Sequence, residues 1–288
     1  MIRKKKKLKM KIKGQIVKNI SDIYDVLIEG EIITCKCRGL LRHKNIIPLV
    51  GDYVLIDKEK CIIESIFPRQ NEIVRPKVAN ITKAFVITSL KHPDLDLNLL
   101  DKLLVELEIN KIEPVIVITK KDLLEKSKLN EYKKILDYYR NIGYKVIYNT
   151  EISKLKKELE DNVTVFMGQT GAGKSTLLNK LFSDLKLQTG DVSIALGRGR
   201  HTTRHAEIII KENIKVLDTP GFSALSFLNF KETDVRDAFL EFKKYSCPFK
   251  DCMHLKENEC NVIKEVNNKN ILASRYENYK NFINEFRR

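Results

Sequence analysis

Val163-Thr164-Val165-Phe166-Met167-Gly168-Gln169-Thr170-Gly171-Ala172-Gly173-Lys174-Ser175-Thr176 carries an apolar run directly into Gly-x-x-x-x-Gly-Lys-Ser, and a helical pattern follows to Phe182. Strand, glycine-rich turn and helix in that order predict a phosphate-binding loop. The glycines let backbone N–H groups curl around the α- and β-phosphates, and the helix N-terminus adds its partial positive charge. Lys174 is then placed for the β- and γ-oxygens and Ser175 for Mg2+. All of 168–176, including Gln169, Thr170, Ala172 and Thr176, count as candidate nucleotide contacts. A glycine-rich turn that binds nothing has no need of the Lys-Ser pair.

Further apolar runs at 84–87 and 114–118 alternate with helical stretches at 95–110 and 129–142, and strands are predicted again at 206–210 and 214–217. Continuous apolar runs between helices predict a parallel sheet covered on both faces. Residues 77–224 therefore read as an α/β domain. Before it, short strands at 14–17, 24–28, 31–38, 52–57 and 61–66 predict an all-β barrel over 1–76, of the oligonucleotide-binding (OB) type, although an SH3-like barrel reads nearly the same. Beyond it, 225–288 is helical and charged, with a cysteine cluster inside.

The 288 residues carry 53 Lys+Arg against 38 Asp+Glu, a net charge of +15, on a background 43% hydrophobic and 32% charged. That composition excludes a disordered or collagen-like chain, and no run reaches the ~18 apolar residues of a membrane span. A lysine-rich N-terminus without an apolar core is not a signal peptide, so a cytoplasmic location is expected. There, cysteines are thiols or metal ligands. The positive charge makes a polyanion the first partner to consider. The run from Arg3 to Lys13 is either an RNA contact or a solvated tail, an anionic membrane being disfavoured by the absence of an acylation motif. Arg38, Arg42, His43 and Lys44 make a basic loop on the barrel that either contacts phosphate or is simply solvated.

Two more motifs end apolar runs. Asp218-Thr219-Pro220-Gly221 would set a carboxylate beside the phosphates for a Mg2+ contact through water, with the Gly221 N–H sensing the γ-phosphate. Thr119-Lys120-Lys121-Asp122 would read the base: Asp122 accepts from both guanine N1–H and N2–H2, a donor pair adenine lacks, and Lys120 lays its stem along the base plane. Phosphate loop, D-x-x-G and [NT]-K-x-D together are the GTPase signature set, yet here the guanine motif precedes the phosphate loop. In this order, and with the barrel and C-terminal cysteines, the chain resembles the circularly permuted, small ribosomal subunit-dependent GTPase A (RsgA) family over essentially its whole length.

The resemblance implies a circularly permuted P-loop GTPase domain flanked by an N-terminal OB-type barrel and a C-terminal helical zinc-binding domain. It also implies hydrolysis of GTP to GDP and phosphate, stimulated by the small ribosomal subunit and serving its late maturation. Expected partners are that subunit and its rRNA, with no membrane, and a monomeric chain. Cys247, Cys252, His254 and Cys260 follow C-x4-C-x-H-x5-C, three thiolates and one imidazole suited to a closed, structural zinc site, and the spacing matches the family. A metal is a sensible staple for a helical stretch with a small core. Cys35 and Cys37 share one strand face and, like Cys61, read as packing residues.

Gly197 to Arg204 matches the family's G-x-x-x-H-T-T region, where the hydroxyl of Thr202 or Thr203 would join Ser175 and Asp218 around Mg2+. Phe222 stands where Ras-like enzymes carry a water-orienting Gln, so His201 is the candidate catalytic side chain beside Lys174; a phosphate- or RNA-contacting role for His201 stays open. Phe222 also keeps alive the alternative of an RNA-binding assembly chaperone whose nucleotide is structural and slowly hydrolysed. A membrane-surface GTPase is a third reading, and Asp122 argues against an ATPase. Because 218–221 runs straight into 225–288, nucleotide state is expected to move the C-terminal module. Tyr276 and Tyr279, spaced i and i+3, are expected on the helix face that packs against it.

Overall fold

A computed structural model describes residues 11–39, 46–73, 77–182, 206–218 and 230–286 of the protein. Period-two patterning governs the first part: β1 (Lys11–Ile20), β2 (Ile23–Ile28), β3 (Glu31–Cys37), β4 (Tyr53–Asp57) and β5 (Ile62–Ile66). Alternate side chains turn inward, and Ile16, Val26, Val54, Ile56 and Ile63 are wholly buried. β1 pairs with both β2 and β4, while β3 pairs in parallel with β5, so the sheet closes in the order β1-β2-β3-β5-β4. This is the OB arrangement, and closure leaves few unpaired edges. Cys35 faces the interior, where burial, then Cys61 and Asp25, push its thiol up to about 11; Cys37 and Cys61 are half-buried.

A short ribbon of β6 (Glu72–Ile73) and β7 (Val78–Ala79) leads into β8 (Lys83–Ser89), α1 (Leu97–Ile109), β9 (Glu113–Thr119), α2 (Lys126–Ile142), β10 (Lys145–Tyr148), α3 (Ile152–Leu159), β11 (Val163–Gly168) and α4 (Lys174–Leu181). β12 (Glu207–Lys211) and β13 (Ile214–Asp218) complete the sheet, in the order β10-β9-β8-β11-β13-β12. Every neighbouring pair from β10 to β13 is parallel and β12 alone in this run is antiparallel. Along β8, Ala84 and Val86 pack under α1 and α2, whereas Phe85 and Ile87 pack under α3 and α4. Two covered faces explain why these strands read as unbroken apolar runs. β12 also bridges to β1 at Lys18 and Glu207, joining barrel and α/β sheet edge to edge.

The C-terminal part holds α5 (Glu232–Asp237), α6 (Asn261–Asn267) and α7 (Ala273–Glu285). Its core of Val235, Phe239, Phe242, Tyr279, Phe282 and Ile283 takes in Val105 of α1. The decisive contact beside that core is polar. Arg275 on α7 is completely buried. Its Nη1 donates to Asp101 Oδ1 on α1 at 2.7 Å, and Nε and Nη2 donate to the two oxygens of Glu241 at 2.5 and 3.0 Å. Tyr139 Oη donates to the same Asp101 oxygen at 2.6 Å and Asn278 Nδ2 to the other at 2.7 Å. Phe239 lies under the guanidinium at 4.7 Å.

Removing one partner of a buried pair leaves the other charge uncompensated. Arg275→Met, which takes the cation away from both buried carboxylates, Asp101 and Glu241, is expected to lower unfolding stability by about 3–5 kcal/mol, read from the chemical-denaturation midpoint.

Candidate nucleotide site and cysteine cluster

Parallel strands bring their C-terminal ends to one edge of the sheet, the place where ligands bind in open α/β folds. Ser89, Thr119, Gly168 and Asp218 end β8, β9, β11 and β13 there. Gly168 has φ +132°, and a Cβ on it would lie 2.1 Å from the carbonyl oxygen of Ile87. Only glycine fits, so the loop leaves β11 pressed against β8. Gly173 caps α4 in the left-handed region at φ +97°, which aims the following N–H groups into the loop. Lys174 Nζ arches over the loop to the carbonyls of Gly168 at 2.7 Å and Gln169 at 3.0 Å. Ser175 is half-buried on the first turn of α4, with Thr176 exposed beside it.

The guanine-type motif is tied to this loop. Thr119 is buried, and its hydroxyl donates to the carbonyl of Ala172 at 2.6 Å. A threonine in place of the commoner asparagine thus keeps the link to the phosphate loop through a hydroxyl. Lys120 stands at φ +55° and donates from Nζ to the carbonyls of Gly171, at 2.8 Å, and His92. Asp122 is exposed on the turn that follows β9. Lys121 Nζ lies 4.6 Å from the ring centroid of Tyr148 at the end of β10, and Asn149 N–H donates to the carbonyl of Ile118 at 2.9 Å. The 148–151 turn therefore lies beside the guanine motif. His201, Thr202, Thr203, Gly221 and Phe222 lie outside the described residues, as do Arg42, His43 and Lys44.

The donor atoms of Cys247, Cys252, His254 and Cys260 all lie within 4.8 Å of one another. His254 Nδ1 is 3.3 Å from the sulfurs of Cys252 and Cys260 and 3.5 Å from that of Cys247, and Cys247 and Cys260 sulfurs are 3.7 Å apart. With Zn–S of ~2.3 Å, a tetrahedral shell requires sulfurs ~3.8 Å apart, so the set fits one zinc ion. The protonation chemistry agrees. Burial, then nearby Arg236, lowers His254 and keeps its imidazole neutral. At Cys247, the backbone N–H groups of Val262 and Asn261 at the start of α6 outweigh burial and lower the thiol. Burial pushes Cys252 up to about 12 and raises Cys260, so a divalent cation is what would hold those two as thiolates.

Sequence reasoning missed Glu257, which shapes this loop. Its carboxylate accepts from the N–H groups of Met253, Leu255 and Lys256 at 2.8, 2.8 and 3.0 Å. Burial works against the charge, but backbone N–H donors hold its pKa down to about 2. Tyr276 Oη donates to the His254 carbonyl at 2.8 Å and Tyr279 Oη to that of Met253, as the i, i+3 spacing predicts.

Gly168→Ala is expected to abolish GTP binding measured by calorimetry, since the loop must shift to admit the methyl group. Elemental analysis is expected to give about one zinc per chain for the unsubstituted protein and none for Cys252→Ser, with most of the structure of 245–260 lost in the variant.

Among the described residues no helix is long and apolar enough to cross a membrane. The RsgA GTPase family model matches residues 66–228 and the RsgA N-terminal domain matches 13–61. A relative from Enterococcus faecalis named small ribosomal subunit biogenesis GTPase RsgA is 44% identical over 283 residues, 95% of each chain. One of the same name from Geobacillus kaustophilus is 42% identical over 285 residues, 95% of this chain and 97% of its own. Among solved structures, YloQ, described as a circularly permuted GTPase, superposes with TM-score 0.82 at 33% identity, over 96% of this chain and 95% of its own. YjeQ from Thermotoga maritima superposes with TM-score 0.83 at 32% identity, over 96% and 98%. Likeness that runs unbroken from the barrel through the permuted sheet to the cysteine cluster leaves one placement: this chain belongs to the RsgA GTPase family.

Proposed function

We propose that the chain couples hydrolysis of GTP to the late biogenesis of the small ribosomal subunit in the cytoplasm, binding that subunit and its rRNA as a monomer. The observation that carries the reading is the tie between the two nucleotide motifs. Thr119 and Lys120 donate to carbonyls of Ala172 and Gly171, so one ligand holding both phosphate and guanine groups spans them. The family and the names of its members add the ribosomal process.

In this reading the backbone of 168–174 cradles the phosphates and Lys174 leaves its loop carbonyls for the β- and γ-oxygens. Ser175, with Asp218 and Thr202 or Thr203, would hold Mg2+, which supplies charge neutralisation at the transferring phosphate. Asp122 selects guanine and Gly221 reports the γ-phosphate. His201 orients or deprotonates the attacking water, since Phe222 has no group to do so. Cys247, Cys252, His254 and Cys260 hold a structural zinc. The chain divides into a barrel of 1–76, a GTPase domain of 77–224 and a zinc module of 225–288.

The test is GTP hydrolysis by the purified protein with and without small ribosomal subunits, with large subunits and Lys174→Ala as controls. Stimulation by small subunits alone is expected, and Lys174→Ala should lower turnover at least ~100-fold by removing charge stabilisation of the transferring phosphate. Tight GTP binding without stimulation would instead favour the RNA-binding chaperone with a structural nucleotide. His201→Ala with full stimulated turnover would remove the catalytic assignment.

A further inference from the structure

Asp122 stands in the middle of a single exposed turn, 121–123, closed by Leu123 N–H to the Lys120 carbonyl and Leu124 N–H to that of Lys121, each at 3.2 Å, with no side-chain cap. Two main-chain hydrogen bonds on a surface turn leave its direction soft, yet a carboxylate discriminates best when it is held in place before the base arrives. One side of the turn is fixed by Lys120 on the carbonyls of Gly171 and His92. The other side is held by a residue outside every nucleotide motif. Lys121 is exposed to water, but its side chain folds back and sets Nζ 4.6 Å from the ring centroid of Tyr148.

Tyr148 is itself firmly placed. It ends β10 opposite Ile118, one residue before the motif, and its N–H donates to Glu151 Oε2 at 2.9 Å. The ring is half-buried against the same core as Leu124, the residue that closes the turn. Arg140, in the last turn of α2, brings a second cation to 6.0 Å from the ring centroid and donates to the Val146 carbonyl of β10 at 3.3 Å. We infer that Tyr148 is a positioning residue for guanine recognition: its ring holds Lys121, and through Lys121 the turn that carries Asp122, in the direction the base requires. The role rests on Asp122 being the guanine selector. A lysine that served solubility alone, or a tyrosine that served the core alone, would leave base discrimination untouched.

Inosine keeps the N1–H of guanine and lacks its 2-amino group, so the ratio of GDP to IDP affinity reads how squarely Asp122 meets the base. Diphosphates also avoid turnover during the titration. In the full-length protein, Tyr148→Leu should shrink that ratio about 2- to 5-fold, the amount a cation over an aromatic face contributes at an exposed site, and Tyr148→Phe, which keeps the ring, should retain it. Lys121→Met removes the charge at an exposed position without touching the core; it should shrink the ratio as much, and adding it to Tyr148→Leu should shrink it no further. A merely structural Tyr148 would lower GDP and IDP affinity together and leave the ratio alone. That result, or an unchanged ratio in Lys121→Met, would overturn the inference. Asp122→Ala separates the two readings. If it collapses the ratio while the Tyr148 and Lys121 variants do not, guanine selection by Asp122 stands and the positioning role falls; if the ratio survives Asp122→Ala, both fall.

Discussion

Arg275 is the constraint on which the arrangement of the parts depends. A guanidinium with no exposure must find its partners inside, and it takes one carboxylate from α1 and another from Glu241 just ahead of the cysteine loop. Such a network is weak evidence for stability, since a hydrophobic substitute often costs nothing. Its effect is geometric. Asp101 accepts from Arg275, Tyr139 and Asn278 together, so α1, α2 and α7 meet in one register. An apolar seam of Val105 with Phe239 and Phe282 would allow sliding, and the ion network does not.

The same helix carries the constraint to the nucleotide site. Asp96 caps α1 by accepting from Leu99 N–H at 3.0 Å, and the first turns of α1 lie against Gly168 and Gln169. From there to the Lys102–Glu285 ion pair, α1 spans the distance from phosphate loop to C-terminal module. The expectation that nucleotide state displaces that module meets a mechanical condition here. Moving the module against α1 would break a buried network, so any displacement of α1 carries the module with it.

Much of this was legible in the sequence where a local pattern carries the structure. The glycine spacing of 168–175 needs only its own strand and helix to be read, and the alternation of 24–28 or 52–57 declares a barrel strand without knowledge of its partner. The unread pieces are those decided by distant contacts. β10 has only four residues, two of them buried, and α3 has eight, both too short for a period to stand out. Arg275 sits in a helix of mixed polarity where a charge ordinarily faces water, and its partner Asp101 is 174 residues away. Glu257 looked like one more acid in a charged loop, because its partners are N–H groups that no side-chain pattern reveals.

The other junction is built differently. β1 of the barrel joins β12 through a single bridge with the Lys18–Glu207 ion pair at 3.4 Å, and Lys215 of β13 donates to Gln15 of β1 at 2.9 Å. Gln15 in turn donates to the Gly51 carbonyl, which Asn80 also reaches from the stretch entering β8. β13 ends in Asp218 and β12 pairs with it throughout. The barrel therefore joins β12 and β13 by these polar contacts and by an apolar core that runs from Ile16 and Val17 through Val78 and Ile81 to Ile208 and Leu217, while the C-terminal module is clamped to α1 by charge and its own core. From the end of β13 the route into β1 is short and packed, through Leu217 and Ile208 to Ile16. Of the two arms, the barrel is the one whose core is continuous with that of the nucleotide-binding sheet, and the C-terminal module the one fixed to it by buried charge.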